Sequence, residues 1–241
     1  MQTVSPLYNA IIAGANHWFE TKVRIDGNDY DKSYLFSVAS TYRVFGSEEP
    51  TVGGCLAAEL TVKMLSPSVS IPRMAKVIPY VRVCNSGQQS EWIPQGVFYI
   101  DTRETTHNDN GVDILTLHCY DAMLKAEADY PSTSHSWPYS DINTVKEIAK
   151  AMGLQPSISS TSGIDARTLT LMNKNYPIKL PVGYSMREVL GNIAAMYAGN
   201  WIMNYDGKLR LVTLTELPEE TNYLIDETYS AITFGGDRIL V

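Results

Sequence analysis

Apolar and polar residues alternate along several segments of the first 120 residues, and this pattern predicts β-strands with one buried face. In the clearest segment, 56–64, every even-numbered residue is Leu, Ala, Val or Met. Four more segments predict strands: 17–25, 77–83, 95–103 and 112–120. No helical pattern separates them, so we expect the strands to form an antiparallel barrel or sandwich.

Turn residues mark the ends of these strands. The run 26–29, Asp-Gly-Asn-Asp, predicts a hairpin turn after the first strand, and the polar loop 106–111 joins the last two strands. The acidic run from Asp26 also resembles a calcium loop, but it lacks the glycine at the sixth position and has Ser37 in place of glutamate at the twelfth. Pro79 has no N–H to donate, which predicts an edge strand or a bulge there.

The uncharged stretch from Met1 to Phe19 contains a predicted short helix. Ser5 is a suitable N-cap, Pro6 suits the first helical position, and Gly14 is expected to close the helix. The stretch is not typical of a signal peptide, because it has no basic start and is interrupted by proline, asparagine and glycine. No run of 18 residues is continuously apolar, which argues against a membrane-spanning helix.

Two longer helices are predicted in the second half of the chain. An apolar stripe with helical spacing predicts the first over 141–153, ending in a glycine that can cap it. A capping-box pattern at 144–147 leaves the start of this helix open. The Ser185–Glu188 capping box predicts the second helix, which Gly199 is expected to close.

The change from alternating to helical patterns divides the chain into two parts, so the predicted fold class is β-rich α+β. We expect a β-barrel domain over residues 1–128, followed by an α/β domain over 129–215. The α/β domain includes a predicted hairpin at 201–212 with an Asp-Gly turn. The residues 229–234 predict the opening of one more strand.

Composition narrows the possible function classes. The 241 residues carry a net charge of −7 and are 44% hydrophobic and 19% charged, which indicates a folded core. The acidic balance and the lack of a basic run argue against a general nucleic-acid binder. Three cysteines, Cys55, Cys84 and Cys119, have no CxxC spacing, so we expect buried thiols and not a disulfide frame or a zinc site.

Motifs of catalysis and cofactor binding are absent from the sequence, which has no GxSxG, HExxH, Walker or GxGxxG pattern. The histidines also lack the spacing of metal ligands. They are His17, His107, His118 and His135. We therefore predict that the protein is not an enzyme, and we predict no catalytic, cofactor-binding or metal-binding residue.

Two alternative functions stay open at this point. A cell-wall hydrolase would need two carboxylates at a set separation. The available carboxylates are Glu59, Glu91, Asp101 and Glu104. A carbohydrate-binding module for host recognition would need exposed aromatic rings that stack on sugars. The aromatic candidates are Trp92, Trp137 and Tyr139.

Six segments, taken in order, resemble parts of the tail hub proteins of phages and prophages of Gram-positive bacteria. One of them, Gly-Val-Phe-Tyr-Ile at 96–100, resembles a Gly-x-Phe-Tyr-Ile strand of that family. The six segments are 8–12 with 19–27, 53–60, 92–100, 117–124, 144–153, and 185–199 with the hairpin 200–212. Relatives of the family include the baseplate hub of contractile-tailed phages and the hub portion of type VI secretion spikes.

The resemblance implies a structural protein of the tail tip or baseplate hub. It implies a homotrimer in which each subunit contributes two tail-tube-like barrels with α/β material between them, so that the hub joins the hexameric tail tube to a threefold tip. The expected partners are tail-tube, distal-tail and tip proteins, and DNA is expected to pass through without specific binding. The protein would be assembled in the bacterial cytoplasm and located in the virion tail. Residues 216–241 would then begin a second, incomplete barrel.

Overall fold

The computed structural model describes residues 4–46, 49–67, 70–107, 111–131 and 136–214, together with the backbone of two short strands near the C-terminus. The helices are α1 (Pro6–Ile12), α2 (Asp141–Ala151), α3 (Ala166–Leu171) and α4 (Met186–Met196), with a 3₁₀ helix at Ala122–Glu127. The first eight strands are β1 (Trp18–Ile25), β2 (Asn28–Tyr30), β3 (Leu35–Thr41), β4 (Glu59–Leu65), β5 (Lys76–Cys84), β6 (Ile93–Pro94), β7 (Phe98–His107) and β8 (Asp113–Asp121). The remaining strands are β9 (Tyr139–Ser140), β10 (Pro177–Ile178), β11 (Gly199–Met203), β12 (Leu209–Thr213), β13 (Thr233–Phe234) and β14 (Asp237–Arg238).

One large antiparallel sheet contains the first eight strands. Seven of them follow the order β2-β1-β5-β7-β8-β4-β3, and β6 pairs with β5 beside this path. The prediction of a β-rich α+β fold is confirmed. Within the described ranges no pairing joins β2 to β3, so the sheet is open there and a closed barrel stays a prediction.

The inner face of this sheet forms the first hydrophobic core, as the alternating pattern predicts. Leu60, Val62 and Met64 of β4 are fully buried, whereas Glu59 and Lys63 are exposed. Side chains from four neighbouring strands complete this core. They include Val23, Ile25, Val77, Phe98, Ile100, Leu117 and Cys119.

Local turn chemistry explains how β1 enters its hairpin. Asp26 and Gly27 have φ angles of +48° and +88°, the left-handed conformation that a two-residue type I′ turn requires. Ile25 and Asn28 therefore face each other at the closed end of the hairpin. The prediction of a turn is confirmed.

Pro79 was expected to place part of its strand at an edge of the sheet or at a bulge; the strand as a whole is not an edge strand, and its register on β1 shows no bulge. β5 is internal, because it pairs with β1 on one side and with β6 and β7 on the other. The physical reason is local: β7 pairs with residues 76–77 and β6 with residues 80–81, so Pro79 lies between these two pairings. Its missing N–H therefore breaks no ladder bond on that side.

The ends of the two longer helices test the predicted caps. Ser140 is the N-cap of α2, so the helix begins at Asp141, the earlier of the two predicted starts. Gly153 adopts φ +73° after the last turn of the helix, as predicted. The capping box of α4, Ser185 with Glu188, is also confirmed.

The predictions that Gly14 and Gly199 close helices are wrong. Ala198, with φ +49°, takes the left-handed conformation after α4. Gly199 instead begins β11, where an added Cβ would lie 2.5 Å from the carbonyl oxygen of Val212. Gly14 does not adopt a positive φ either, and α1 ends at Ile12 with Ala13 as its C-cap. Close backbone packing, and not helix capping, requires the glycine at 199.

A second hydrophobic core lies between α2, α4 and the hairpin of β11 and β12. Trp201 is its largest fully buried side chain, and Nε1 of its indole donates to the carbonyl oxygen of Leu190 at 2.8 Å. The predicted hairpin with its Asp-Gly turn is confirmed. Cys55 and Met123, from the β-rich part of the chain, also pack into this core.

The predicted domain boundaries at 128/129 and 215/216 stay predictions. The strand predicted at 229–234 lies outside the described residues except for 233–234, which form β13 and pair with β14.

Candidate assembly surface

A cavity of about 590 Å³ lies between the two ends of the large sheet, and we call it the edge groove. Four consecutive residues of β1 (18–21) and four of β3 (35–38) line it, together with Asp31, Lys32, Arg82 and Trp92. Successive residues of a strand point to opposite faces of a sheet. A cavity lined by four consecutive residues from each strand therefore runs along the strand edges.

Large apolar side chains are exposed in the edge groove. Trp18 is 49% exposed, Phe19 51% and Phe36 58%. Phe36 lies at a bulge, because the register of β3 on β4 shifts between Leu35 and Ser37. Exposed aromatic residues around a cavity mark a surface suited to contact another molecule.

Cations and aromatic rings cover the sheet beside the groove. Arg82 forms an ion pair of 2.6 Å with Glu20 on the neighbouring strand, and this hydrogen-bonded guanidinium lowers the pKa of Glu20. The same guanidinium lies 4.4 Å from the ring centre of Trp92, and Nζ of Lys22 lies 4.9 Å from it. Trp92 is therefore half-buried against two cations.

The aromatic residues of the carbohydrate-binding alternative do not form one surface. Trp137 and Tyr139 are half-buried and meet edge to face at 5.9 Å between ring centres. Trp137 also packs on Tyr130, whose hydroxyl donates to Glu147 on α2. Trp92 instead lies beside the large sheet, directly before β6, and packs against Lys22 and Arg82. The structure thus places Trp137 as an anchor within the α/β part.

The carboxylates of the hydrolase alternative are also dispersed. Both oxygens of Glu91 accept hydrogen bonds from Ser5 at the start of α1, at 2.7 and 2.5 Å. Glu59 on β4 and Glu104 on β7 are separated by the width of β8, and their partners on β8 are Tyr120 and Thr116. Four residues along a strand correspond to roughly 13 Å, which exceeds the separation that glycoside hydrolysis uses.

Asp101 and the three described histidines share no site. Asp101 is exposed at a bulge of β7. His107 pairs with Asp113 across β7 and β8, Nδ1 of His17 contacts the carbonyl oxygen of Gly14, and His118 lies half-buried on β8. His135 lies outside the described residues. In the part of the chain that the structure describes, no group of histidine, cysteine or acidic residues is placed to hold a metal ion.

The three cysteines are buried free thiols, as predicted. Burial raises the pKa of Cys55 and of Cys119 to about 12, which keeps both protonated. None of the described helices has the length and apolar character needed to cross a membrane.

Buried polar groups connect the sheet to the α/β part. Asp121, at the end of β8, accepts from the N–H of Ala58 at 2.8 Å and from the N–H of Met123 at 2.9 Å. Burial of this carboxyl raises its pKa to about 6. Arg187 of α4 donates to the carbonyl oxygens of Cys55 and Met123. These bonds fix α4 against the ends of β4 and β8.

The fold of this chain is similar to that of proteins of known structure. The 43 kDa tail protein of prophage MuSo2 from Shewanella oneidensis matches with a TM-score of 0.50 and 10% identity, over 82% of this chain and 56% of that chain. The fold resembles that of a prophage tail protein. The resemblance noted in the sequence is confirmed at the level of the fold.

Two further structures match less closely. The tail protein from Neisseria meningitidis MC58 gives a TM-score of 0.49 and 14% identity, over 80% of this chain and 51% of that chain. The Francisella PdpA–VgrG complex gives 0.43 and 6%, over 82% and 31%. The chain thus spans about half the length of the two tail proteins. No protein-family model and no curated protein matches the sequence.

Proposed function

We propose that this chain is a structural component of a phage or prophage tail tip or baseplate hub. The observation that carries this proposal is the fold shared with the prophage MuSo2 tail protein over 82% of the chain. The family resemblance of six ordered sequence segments supports it independently of that fold. The role is mechanical: the chain provides surfaces on which other tail proteins pack.

In this proposal three copies form a ring that joins the hexameric tail tube to a threefold tip. Exposed aromatic residues such as Trp18 and Phe36 provide the apolar contact area that permanent assemblies use. The net charge of −7 favours passage of DNA without adhesion, because like charges prevent the phosphate contacts of non-specific binding. Tight binding of duplex DNA at physiological salt would contradict this part of the proposal.

The proposal assigns no catalytic step to the chain. The dispersed carboxylates around β4, β7 and β8 support this assignment. Incubation with purified peptidoglycan should release no soluble sugar. Turnover that is lost in Glu59→Gln, Glu91→Gln or Glu104→Gln would instead establish a hydrolase.

The direct test is to inactivate the gene in the bacterium that carries it and to examine the particles by electron microscopy. We expect tails that lack the tip or fail to assemble, and we expect the unaltered gene supplied in trans to restore them. Normal, infective tails in the absence of the protein would refute the proposal. Light scattering of the purified chain then compares its mass with that of the 26.8 kDa monomer. A trimer is expected when the neighbouring tail proteins that hold the ring together are present.

A further inference from the structure

The edge groove is bounded by two strand edges that have no pairing partner among the described residues. β2 pairs with β1 only at residues 23–25, so residues 18–22 have a neighbour on the β5 side alone. On the other side of the groove, β3 pairs with β4 and with no other described strand. Two unpaired edges therefore face a single cavity.

The backbone groups that point into the groove are identifiable. The N–H of Asp26 donates to the carbonyl oxygen of Lys76 on β5, so the even-numbered residues of β1 direct their backbone groups towards β5. Because these directions alternate, Phe19 and Thr21 direct their N–H and C=O groups into the groove. Another polypeptide backbone in extended form is the ligand that matches such an edge.

The size of the groove fits one extended strand. Each residue of a packed sheet occupies roughly 160 Å³, from a rise of about 3.3 Å, a strand spacing of about 4.8 Å and a sheet spacing of about 10 Å. A cavity of about 590 Å³ therefore has room for a short extended strand of a few residues. Four consecutive residues of β1 and four of β3 line its two sides.

The side chains of the groove indicate what the strand should carry. Phe19 and Thr21 belong to the same face of β1 as Val23 and Ile25, which are buried, yet both are exposed because none of the described strands covers them. On the opposite edge, Val38 is only half-buried. The inner side of the groove therefore offers contacts for apolar side chains at alternate positions of the strand.

The charge of the groove indicates a second property of the strand that would bind there. The groove is lined by two acidic and two basic residues, and Glu20 and Arg82 among them form an ion pair. This lining has no net formal charge, although the whole chain carries −7. An uncharged strand is therefore complementary to the groove.

We propose that the edge groove takes up one extended, uncharged strand of another tail protein, with apolar side chains at its inward positions. The added strand pairs with β1 on one side and with β3 on the other, and it completes the sheet that is open between β2 and β3 in the part of the chain that the structure describes. This inference rests on the proposed function, because it takes the source of the strand to be a neighbouring tail subunit.

The test uses the purified full chain and an uncharged synthetic peptide, acetyl-Gln-Thr-Val-Thr-Val-Thr-Val-Gln-amide. Its matched control has N-methyl groups on alternate residues, which leave the side chains in place but remove backbone donors. We expect the unmodified peptide to bind at least tenfold more tightly than the N-methylated control, as measured by isothermal titration calorimetry. The variant Phe19→Asp should weaken binding at least tenfold, while Val182→Asp, on a 75% exposed residue outside the groove, should leave it unchanged.

Amide hydrogen exchange measured by NMR locates the added strand. In the free protein the amides of Phe19 and Thr21 should exchange rapidly, whereas those of Glu20 and Lys22 should be protected by β5. The unmodified peptide should slow exchange at Phe19 and Thr21 at least tenfold, and the N-methylated peptide should not.

Three results would overturn the inference: equal binding of the two peptides, no binding at millimolar concentration, or protection of Phe19 and Thr21 in the free monomer. Protection that increases with protein concentration would assign the groove to a second copy of this chain and would also overturn it. None of these results alters the outcome of the gene-inactivation experiment, so failure of this inference is distinguishable from failure of the proposed function.

Discussion

Asn200 holds the loop before β4 against β11. The loss of stability expected when alanine replaces it follows from its two hydrogen bonds. Its Oδ1 accepts from the N–H of Gly54 at 2.6 Å, and its Nδ2 donates to the carbonyl oxygen of Thr51 at 2.6 Å. Asn200 is buried, whereas Thr51 is exposed. Asn200→Ala therefore leaves the half-buried Gly54 N–H without its acceptor, while water can reach the carbonyl of Thr51.

The expected loss follows from these two bonds. An unsatisfied buried donor costs about 1–3 kcal/mol, and a replaceable hydrogen bond contributes about 1 kcal/mol. We expect Asn200→Ala to lower the free energy of unfolding by about 3 kcal/mol, which corresponds to a fall in Tm of roughly 9 °C for a chain of this size. Thr51→Ala is the matched control, because its carbonyl stays in place, and it should change stability by less than about 0.5 kcal/mol.

Urea unfolding followed by tryptophan fluorescence, together with calorimetry, measures both variants. A loss below about 1 kcal/mol for Asn200→Ala would refute the reasoning, because it would show that these bonds do not hold the loop. So would an equal loss in the Thr51→Ala control.

Three other predictions follow from the buried groups. Because the pKa of Asp121 is raised from 3.8 to about 6, its contribution to stability is present below about pH 4 and is lost as pH rises through 6. Relative to Asp121→Asn, the free energy of unfolding of the wild type should fall by up to about 3 kcal/mol between pH 4 and 7.5. A difference between the two proteins that stays constant with pH in urea titrations would contradict this. Gly199→Ala places a Cβ 2.5 Å from a backbone oxygen of β12 and should cost about 2 kcal/mol or more, whereas Gly87→Ala has open space and should be nearly neutral in thermal unfolding. A thiol reagent should leave Cys55 and Cys119 unmodified in the native protein and modify both in urea, and rapid native labelling would contradict their burial.

Local chemistry made much of the fold predictable. The alternation over 56–64 identifies the buried face of β4, since the period of two is set by the strand itself. The Asp26-Gly27 turn and the Ser185–Glu188 capping box depend only on neighbouring residues, and both are present as predicted. Such features need no knowledge of the tertiary structure.

Contacts between distant segments explain the errors. Gly199 resembles a helix cap in the sequence, but its role depends on β12, which follows ten residues later. The position of Pro79 depends on where β6 and β7 approach β5, which no local pattern reveals.

The edge groove was missed for the same reason. The strand containing Trp18 and Phe19 was predicted. Phe19 lies on the same face of that strand as Val23 and Ile25, so the alternating pattern suggests that it is buried. Its exposure arises because β2 ends before it reaches this part of β1 and because β3 pairs elsewhere, with β4. The only sequence signal was the aromatic pair Trp18-Phe19 at the open end of a strand.

The most direct test of the central claim, that this chain is a structural part of the tail, is its copy number in purified particles. Quantitative mass spectrometry against isotope-labelled peptides should find about three copies per tail, which is half the number of subunits in one hexameric ring of the tube. Immunogold electron microscopy should place them at the tip. Absence of the chain from purified particles would contradict the account.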